Sequence, residues 1–399
     1  MLLCTALCAI GAEKVLGNEL KQLGFTLSAP ETHGGYAGRV RFSVPAWEDL
    51  YRANLCLRTA DRVFLEAASF RAEDFDSLYE GTYRADWQDF FKKNVRVTVD
   101  KVRTHGSRLA SEHSVQTVVH KALSKKLCDS FRMVNLPESG AEQAVRVYVD
   151  NGLVTLGVDT SGEALHKRGY RTQGGDAPLR ETLAAVLLHL ALWRRKLPLH
   201  DPFCGSGTIP CEALLYAYNA PPGIGRSFAL ENLAFFDRRR AEDVRRREAE
   251  KIRSDWVVRI TGSDIDPNAV EAARGNAERA CVTIGRALQL TGRDGRIERP
   301  RFTPEDFSSL KAPWEEGVLL GNPPYGERMG GPEAAEEVYR TMGVLFDTFP
   351  GWKKGFITSH GDFEKAIGRR AGQTWALKSG KLDTYFYFFG ETHVNRCGT

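Results

Sequence analysis

The sequence reads as an α/β protein, with a mostly parallel sheet and crossover helices over residues 162–399 behind a mixed α+β region over 1–161. Two features predict the sheet. After about residue 176, short aliphatic runs alternate with stretches of helical apolar spacing, the order that parallel strands need because each return crossing takes a helix. Further on, Val318-Leu319-Leu320 empties into Gly321-Asn322-Pro323-Pro324-Tyr325-Gly326, as a buried strand does at the edge where open α/β sheets keep their chemistry. A third feature marks the first part: Asn151-Gly152 between two apolar runs signals a hairpin.

Taken in order, 2–10 reads as a strand ended by Gly11, and 13–23 as a helix with Val15, Leu16, Leu20 and Leu23 on one stripe and Gly24 as its stop. A strand at 36–44 and a helix at 46–57 complete a small α+β unit over 1–58. From 59 to 161, strands are expected at 62–67, 94–99, 145–149 and 153–158, and a helix at 114–128 with Val115, Val119, Leu123 and Leu127 inward. The Gly-rich polar stretch at 162–176 marks a boundary, and Pro178 suits the first turn of a helix to 193. Beyond it follow a strand at 197–200, a helix at 209–220, a strand at 257–264 and a helix at 269–280.

Charge is nearly balanced, 55 Lys+Arg against 51 Asp+Glu, so a nucleic-acid surface has to come from local clustering. The densest cluster comprises Lys101, Arg103, Lys121, Lys125 and Lys126, joined later by the basic loop of Lys167, Arg168 and Arg171; these are candidate RNA contacts, with a solvated helix face as the alternative. Eight cysteines show neither CxxC pairs nor zinc-ligand spacing, which points to thiols of a reducing compartment and to no metal. The apolar opening lacks a basic leader and runs into charge, so it reads as a strand and not a signal sequence. No run approaches the roughly 18 to 20 apolar residues of a membrane span, and a cytoplasmic protein is expected.

Four stretches carry chemistry. Asp201-Pro202-Phe203-Cys204-Gly205-Ser206-Gly207-Thr208 opens a helix, and its missing β-carbons let backbone amides approach a nucleotide-like ligand. It is neither a Walker A loop nor a dinucleotide fingerprint, since no Gly-Lys-Ser/Thr follows and Pro210 stands where a third glycine belongs. The acid ahead of the glycines favours a ligand with a positive centre. Asp264, at a second strand end beside Ile265, suits a pair of ribose hydroxyls, and Asp306 suits an adenine amine; as single residues, either acid could equally be a cap. Asn322, Pro323 and Tyr325 offer an amide oxygen, a carbonyl that no Pro324 N–H can claim, and a stacking ring, which together suit a planar exocyclic amine.

DPFCGSGTIPCEAL, GSDIDPNAVEAARGNAERA and GNPPYGERMG resemble the motifs of class I S-adenosylmethionine-dependent methyltransferases. Within that class the chain is similar to the THUMP-domain-containing RNA guanine-N2 methyltransferases of 23S ribosomal RNA, also through GYRTQGGDAPLRETLAA and Gly380-Lys381-Leu382-Asp383. The likeness is specific over about 164–390 and looser before that, where DNGLVTLGVDTSGEALHKRGYR is THUMP-like. It implies a Rossmann-like, seven-stranded methyltransferase domain over 162–399, a ferredoxin-like unit over 1–58 and a THUMP RNA-binding domain over 59–161.

It also implies S-adenosylmethionine as cofactor, with Asp201, Phe203, Cys204, Gly205, Gly207 and Thr208 around its methionine end, Asp264 and Ile265 at its ribose and Asp306 at its adenine. Asn322, Pro323, Pro324 and Tyr325 would form the acceptor side, Asn322 also bordering the cofactor; RNA is the implied partner, and no obligate protein partner is indicated. One departure is the charged segment holding Arg238-Arg239-Arg240 and Arg245-Arg246-Arg247, read as a solvated face ahead of an RNA contact. Rival readings are a transfer-RNA guanine, adenine N6 in DNA or a glutamine amide as acceptor, or a non-catalytic RNA-binding assembly factor.

Overall fold

The computed structural model describes residues 1–28, 37–171, 179–254, 257–324, 332–379 and 382–390. Two compact units emerge, one formed by Met1–Cys8, Leu16–Leu165 and Arg226–Arg245, the other by Ala9–Val15, His166–Gly225 and Arg246–Thr399.

The first unit is built on β1 (Leu2–Leu7), α1 (Glu13–Gln22), β2 (Thr26–Leu27), β3 (Arg39–Val44), α2 (Trp47–Cys56), β4 (Arg62–Arg71), α3 (Phe75–Arg84), α4 (Trp87–Phe90), β5 (Arg96–His105), α5 (Glu112–Phe131), β6 (Glu142–Asp150) and β7 (Leu153–Asp159). One seven-stranded sheet takes the order β2-β3-β1-β4-β7-β6-β5, with β5 and β6 parallel and the remaining pairs antiparallel. The β6–β7 turn is the expected hairpin: Asn151 and Gly152 have φ of 50° and 78°, the pair of positive values that a two-residue turn matched to strand twist requires. Helix α5 buries Val115, Val119, Ala122, Leu123 and Leu127 and is capped by Ser111, whose hydroxyl accepts from Ser114 N. Strands β4 and β5 run longer than the sequence signals because their outer ends are half-exposed and carry charge.

In the same unit Arg245 is no part of a solvated face. Its Nε donates to the Tyr51 hydroxyl at 2.8 Å and its guanidinium lies 3.7 Å from Glu231, while Arg240 pairs with Glu48 at 3.0 Å.

The second unit contains α6 (Glu181–Leu190), β8 (Leu199–Asp201), α7 (Thr208–Ala217), the last turn of α8 (Arg238–Glu250), β9 (Ile260–Asp264), α9 (Pro267–Gln289), β10 (Arg301–Pro304), β11 (Gly317–Gly321), α10 (Pro332–Thr341), α11 (Val344–Thr348), β12 (Trp352–Thr358), α12 (Phe363–Ile367), β13 (Gln373–Ser379) and β14 (Leu382–Phe389). Its sheet runs β10-β9-β8-β11-β12-β14-β13. The first five strands are parallel, β14 runs antiparallel to them and β13 antiparallel to β14, the mostly parallel seven-stranded sheet that was expected. Chain order reverses at β8, so the crevice beyond the carboxyl ends of β8, β9 and β11 is a topological switch point. Tyr339, Phe349, Phe356, Phe363 and Tyr387 form an aromatic core against β11 and β12. Among the described residues no helix is long and apolar enough to cross a membrane, and no group of three or more His, Cys, Asp or Glu could hold a metal.

Candidate methyl-transfer site

The loop after β8 is fixed by its backbone. Cys204 N donates to Ser263 O at 2.9 Å, Gly207 N to Cys204 O at 2.7 Å, and Gly205 N to Asp264 Oδ2 at 2.8 Å, so the loop is tied to the end of β9. Gly207 has φ of 78° and starts α7; a β-carbon there would meet Ala273 Cβ at 2.9 Å and the Phe302 ring at 3.2 Å. Asp201 accepts from Phe203 N at 3.0 Å and is buried; burial first, then the neighbouring charge of Asp264, pushes its carboxyl well above the usual carboxylate range. Burial likewise holds Cys204 as a neutral thiol, so it packs and does not react.

Asp264 also accepts from Asp266 N at 3.0 Å, each oxygen keeping a further lone pair for a ligand hydroxyl. Beside it Ile265 is 72% exposed, an aliphatic platform that nothing in the fold requires. Asp306 caps the short turn Phe307–Ser309 through one oxygen, Oδ1, which accepts from Ser308 N at 2.8 Å. Phe203 and Phe307 stand with ring centroids 5.0 Å apart, which brings the glycine loop beside the Asp306 turn. Glycine cradle, acid at a strand end, exposed aliphatic and aromatic pair fit an adenosyl group with a charged tail.

The loop expected to face the acceptor follows β11, a strand buried throughout. A β-carbon on Gly321 would lie 3.1 Å from the Phe203 ring and 3.5 Å from Asp201 Oδ1, so the two loops that the sequence singled out lie against each other. The Asn322 side-chain oxygen is buried and, among the described residues, has no hydrogen-bond partner. Leaving such an acceptor unmade costs about 1–3 kcal/mol, a penalty that a donor on an incoming base would relieve. Tyr325 lies outside the described residues.

Sequence reasoning passed over what holds this loop from behind. The Tyr339 hydroxyl, fully buried, donates to Pro324 O at 3.2 Å and meets Thr358 Oγ1 at 2.9 Å, and Thr358 Oγ1 accepts from His360 N at 3.1 Å. A tyrosine at helical spacing reads as core, so its polar tip gives no signal in one dimension.

Two of the candidate RNA contacts are corrected. Arg168 is buried against Glu212, Nε to Oε1 3.4 Å, with both side chains almost wholly enclosed, and Arg171 turns inward to Glu181 and Thr208. A buried carboxylate demands a cation, and that demand outweighs solvation of the guanidinium. Lys101, Arg103, Lys121, Lys125 and Lys167 stay exposed and Lys126 half-exposed, although Arg103 pairs with Glu112 at 3.1 Å and Lys125 with Asp129 at 2.7 Å.

Comparison with known proteins agrees with this geometry. Residues 168–387 match the family model described as an RMKL-like methyltransferase domain, and residues 4–64 match an RlmL ferredoxin-like domain. "Putative RNA methyltransferase YpsC" of Bacillus subtilis is 37% identical over 386 residues, covering 96% of this chain and 94% of that protein. "Ribosomal RNA large subunit methyltransferase K/L" of Legionella pneumophila is 30% identical over 405 residues, 98% of this chain but only 53% of that protein, so the chain spans about half of the K/L relative. The crystal structure of SMU.472 complexed with SAH superposes with a TM-score of 0.85 at 33% identity, each chain 99% covered. With its glycine loop in contact with the acid ending β9 and with the end of β11, the chain belongs to the RMKL-like methyltransferase family and is an S-adenosylmethionine-dependent enzyme.

Proposed function

We propose that the protein methylates the exocyclic N2 amine of a guanine in RNA, large-subunit ribosomal RNA first among substrates, and works in the cytoplasm. The observation that carries the reading is the buried oxygen of Asn322, unpartnered among the described residues, beside the Asp201–Thr208 loop. S-adenosylmethionine, when bound, supplies a methyl group already activated on a sulfonium.

The protein's task is then to orient the acceptor. A guanine amine is a poor nucleophile because its lone pair is spread into the ring. Hydrogen bonds from that amine to Asn322 Oδ1 and the Pro323 carbonyl draw its two protons aside and localise the lone pair toward the donor side, with Tyr325 stacked on the base. Neither acceptor is basic, so the proton leaves to solvent after transfer. Asp201 and the glycine loop hold the methionine end, Asp264 and Ile265 the ribose, and Asp306 the adenine, its second oxygen serving the amine.

Residues 1–58 are proposed as a ferredoxin-like unit and 59–161 as the THUMP-type RNA-binding domain, with Lys101, Arg103, Lys121, Lys125 and Lys126 following phosphates; Lys167, beyond that domain, is a further candidate contact. The names of the relatives support RNA over DNA or protein as substrate. Labelled-methyl transfer into ribosomal RNA, transfer RNA, DNA and protein fractions tests it: incorporation into RNA that Asn322→Ala abolishes, with adenosylhomocysteine affinity retained by calorimetry, is expected. Full turnover by Asn322→Ala would remove that residue from the mechanism, and incorporation into DNA alone would overturn the substrate.

A further inference from the structure

A second unmet acceptor stands beside the Asn322 loop. Parallel register sets Gly321 of β11 against Phe356 of β12, and β12 runs on to Thr358, so the loop that begins at Ser359 leaves the sheet at the same edge as residues 322–324. His360 occupies that loop. Its N–H donates to Thr358 Oγ1 at 3.1 Å, the hydroxyl that also meets Tyr339, and its carbonyl accepts from the Tyr387 hydroxyl at 3.1 Å, so its backbone is held from both sides. The imidazole stands edge-on to the Tyr339 ring, centroids 5.5 Å apart and planes at 72°, and the Tyr339 hydroxyl in turn holds Pro324 O. Nε2 lies 3.5 Å from Glu336 Oε1 on α10, a carboxylate that Arg340 also approaches at 3.7 Å. Nδ1 is buried and, among the described residues, has no hydrogen-bond partner.

The tautomer follows from the neighbours. A carboxylate beside Nε2 draws the ring proton to that nitrogen and leaves Nδ1 as a lone pair. Asn322 Oδ1, the Pro323 carbonyl and His360 Nδ1 then make three acceptors at one sheet edge. Among the rival methyl acceptors, guanine alone presents three adjacent N–H hydrogens, two on its N2 amine and one on N1; adenine sets a bare N1 lone pair beside its amine, and a glutamine amide has two hydrogens only. We propose that His360 Nδ1 accepts from the N1–H of the target guanine and so selects guanine over adenine. An adenine N1 at that place would turn one lone pair on another and leave the enclosed imidazole nitrogen unmet. The inference rests on the guanine-N2 reading and gives it a specificity residue that the Asn-Pro-Pro-Tyr loop does not contain.

The test uses a ribosomal RNA fragment that carries either guanine or 2-aminopurine at the methylated position. 2-Aminopurine keeps the amine on C2 and has a lone pair in place of the N1 hydrogen. Wild type is expected to favour guanine in kcat/KM by about 5-fold or more, as for one hydrogen bond. His360→Leu is expected to lose that preference through a fall on guanine alone, and His360→Asn, whose side-chain oxygen can take the place of Nδ1, to keep it. Adenosylhomocysteine affinity unchanged in calorimetry shows that both variants are folded. A preference that survives in His360→Leu, or an equal fall on both bases, would overturn the proposal while leaving the guanine-N2 reading in place. Absence of methyl transfer from wild type to any RNA guanine would instead remove that reading and this inference with it.

Discussion

Tyr339 shows what a single polar atom contributes. Its hydroxyl holds the Pro324 carbonyl and is itself met by Thr358, so one O–H fixes the back of the acceptor loop from a fully buried ring. Tyr339→Phe keeps the packing against Phe363, centroids 5.0 Å apart, and removes the hydroxyl with its bonds to Pro324 O and Thr358 Oγ1. Turnover should fall by roughly 5- to 10-fold, the equivalent of about 1 kcal/mol of one hydrogen bond, with adenosylhomocysteine affinity unchanged; a parallel loss of cofactor binding would refute this division of labour. Arg168 is the opposite case. Replacing it with Ala strands Glu212 in the interior and should cost about 3–5 kcal/mol in urea unfolding. Asn322 was legible in the sequence because a motif carries it. Tyr339 and Arg168 were not, because a ring on an amphipathic helix and a cation in a basic loop each have a commoner role.

The β8–β9 pair sets a different kind of constraint. Parallel register places His200 beside Thr261, and its ring is buried with Nδ1 2.8 Å from Thr261 Oγ1 and Nε2 3.2 Å from Ser263 Oγ. Burial holds the imidazole down at about 4. The unfolded chain protonates near 6.5, so above that value both states are neutral and the full stability is present. As pH falls from about 6.5 toward 4, the unfolded state takes up a proton that the folded state refuses, and up to roughly 3 kcal/mol is lost. Urea unfolding at pH 7.5 and 5 should therefore show a smaller difference for His200→Gln than for wild type; an unchanged difference would clear His200 of the effect. The helix after β8 depends on Gly207. Gly207→Ala introduces a β-carbon 2.9 Å from Ala273 Cβ at φ of 78°, which should cost at least about 1–2 kcal/mol and weaken cofactor binding as the loop shifts. The glycine spacing was visible in the sequence; the neighbours that forbid a side chain belong to α9 and β10, more than sixty residues away, and were not.

At the scale of the whole chain, a net charge of only +4 leaves RNA affinity to patches. Lys121 stands exposed on α5 and Lys101 on β5. Lys101→Glu with Lys121→Glu should lower RNA affinity and flatten its salt dependence by about two phosphate contacts, leaving adenosylhomocysteine binding intact. A salt slope equal to wild type would place the RNA elsewhere.

The sequence alone determined the α/β class, the alternation that makes the second sheet mostly parallel, the hairpin at Asn151-Gly152 and the order of the cofactor and acceptor motifs. Local chemistry suffices for these, since strand periodicity, turn residues and glycine-rich loops act within a few positions. Only the tertiary structure decided which cations face inward, that Asp201 lies against Gly321, and that the Asn322 side-chain oxygen is buried and unmet among the described residues. Burial and hydrogen-bond satisfaction are properties of the assembled fold, because each depends on atoms that the chain brings together from far apart.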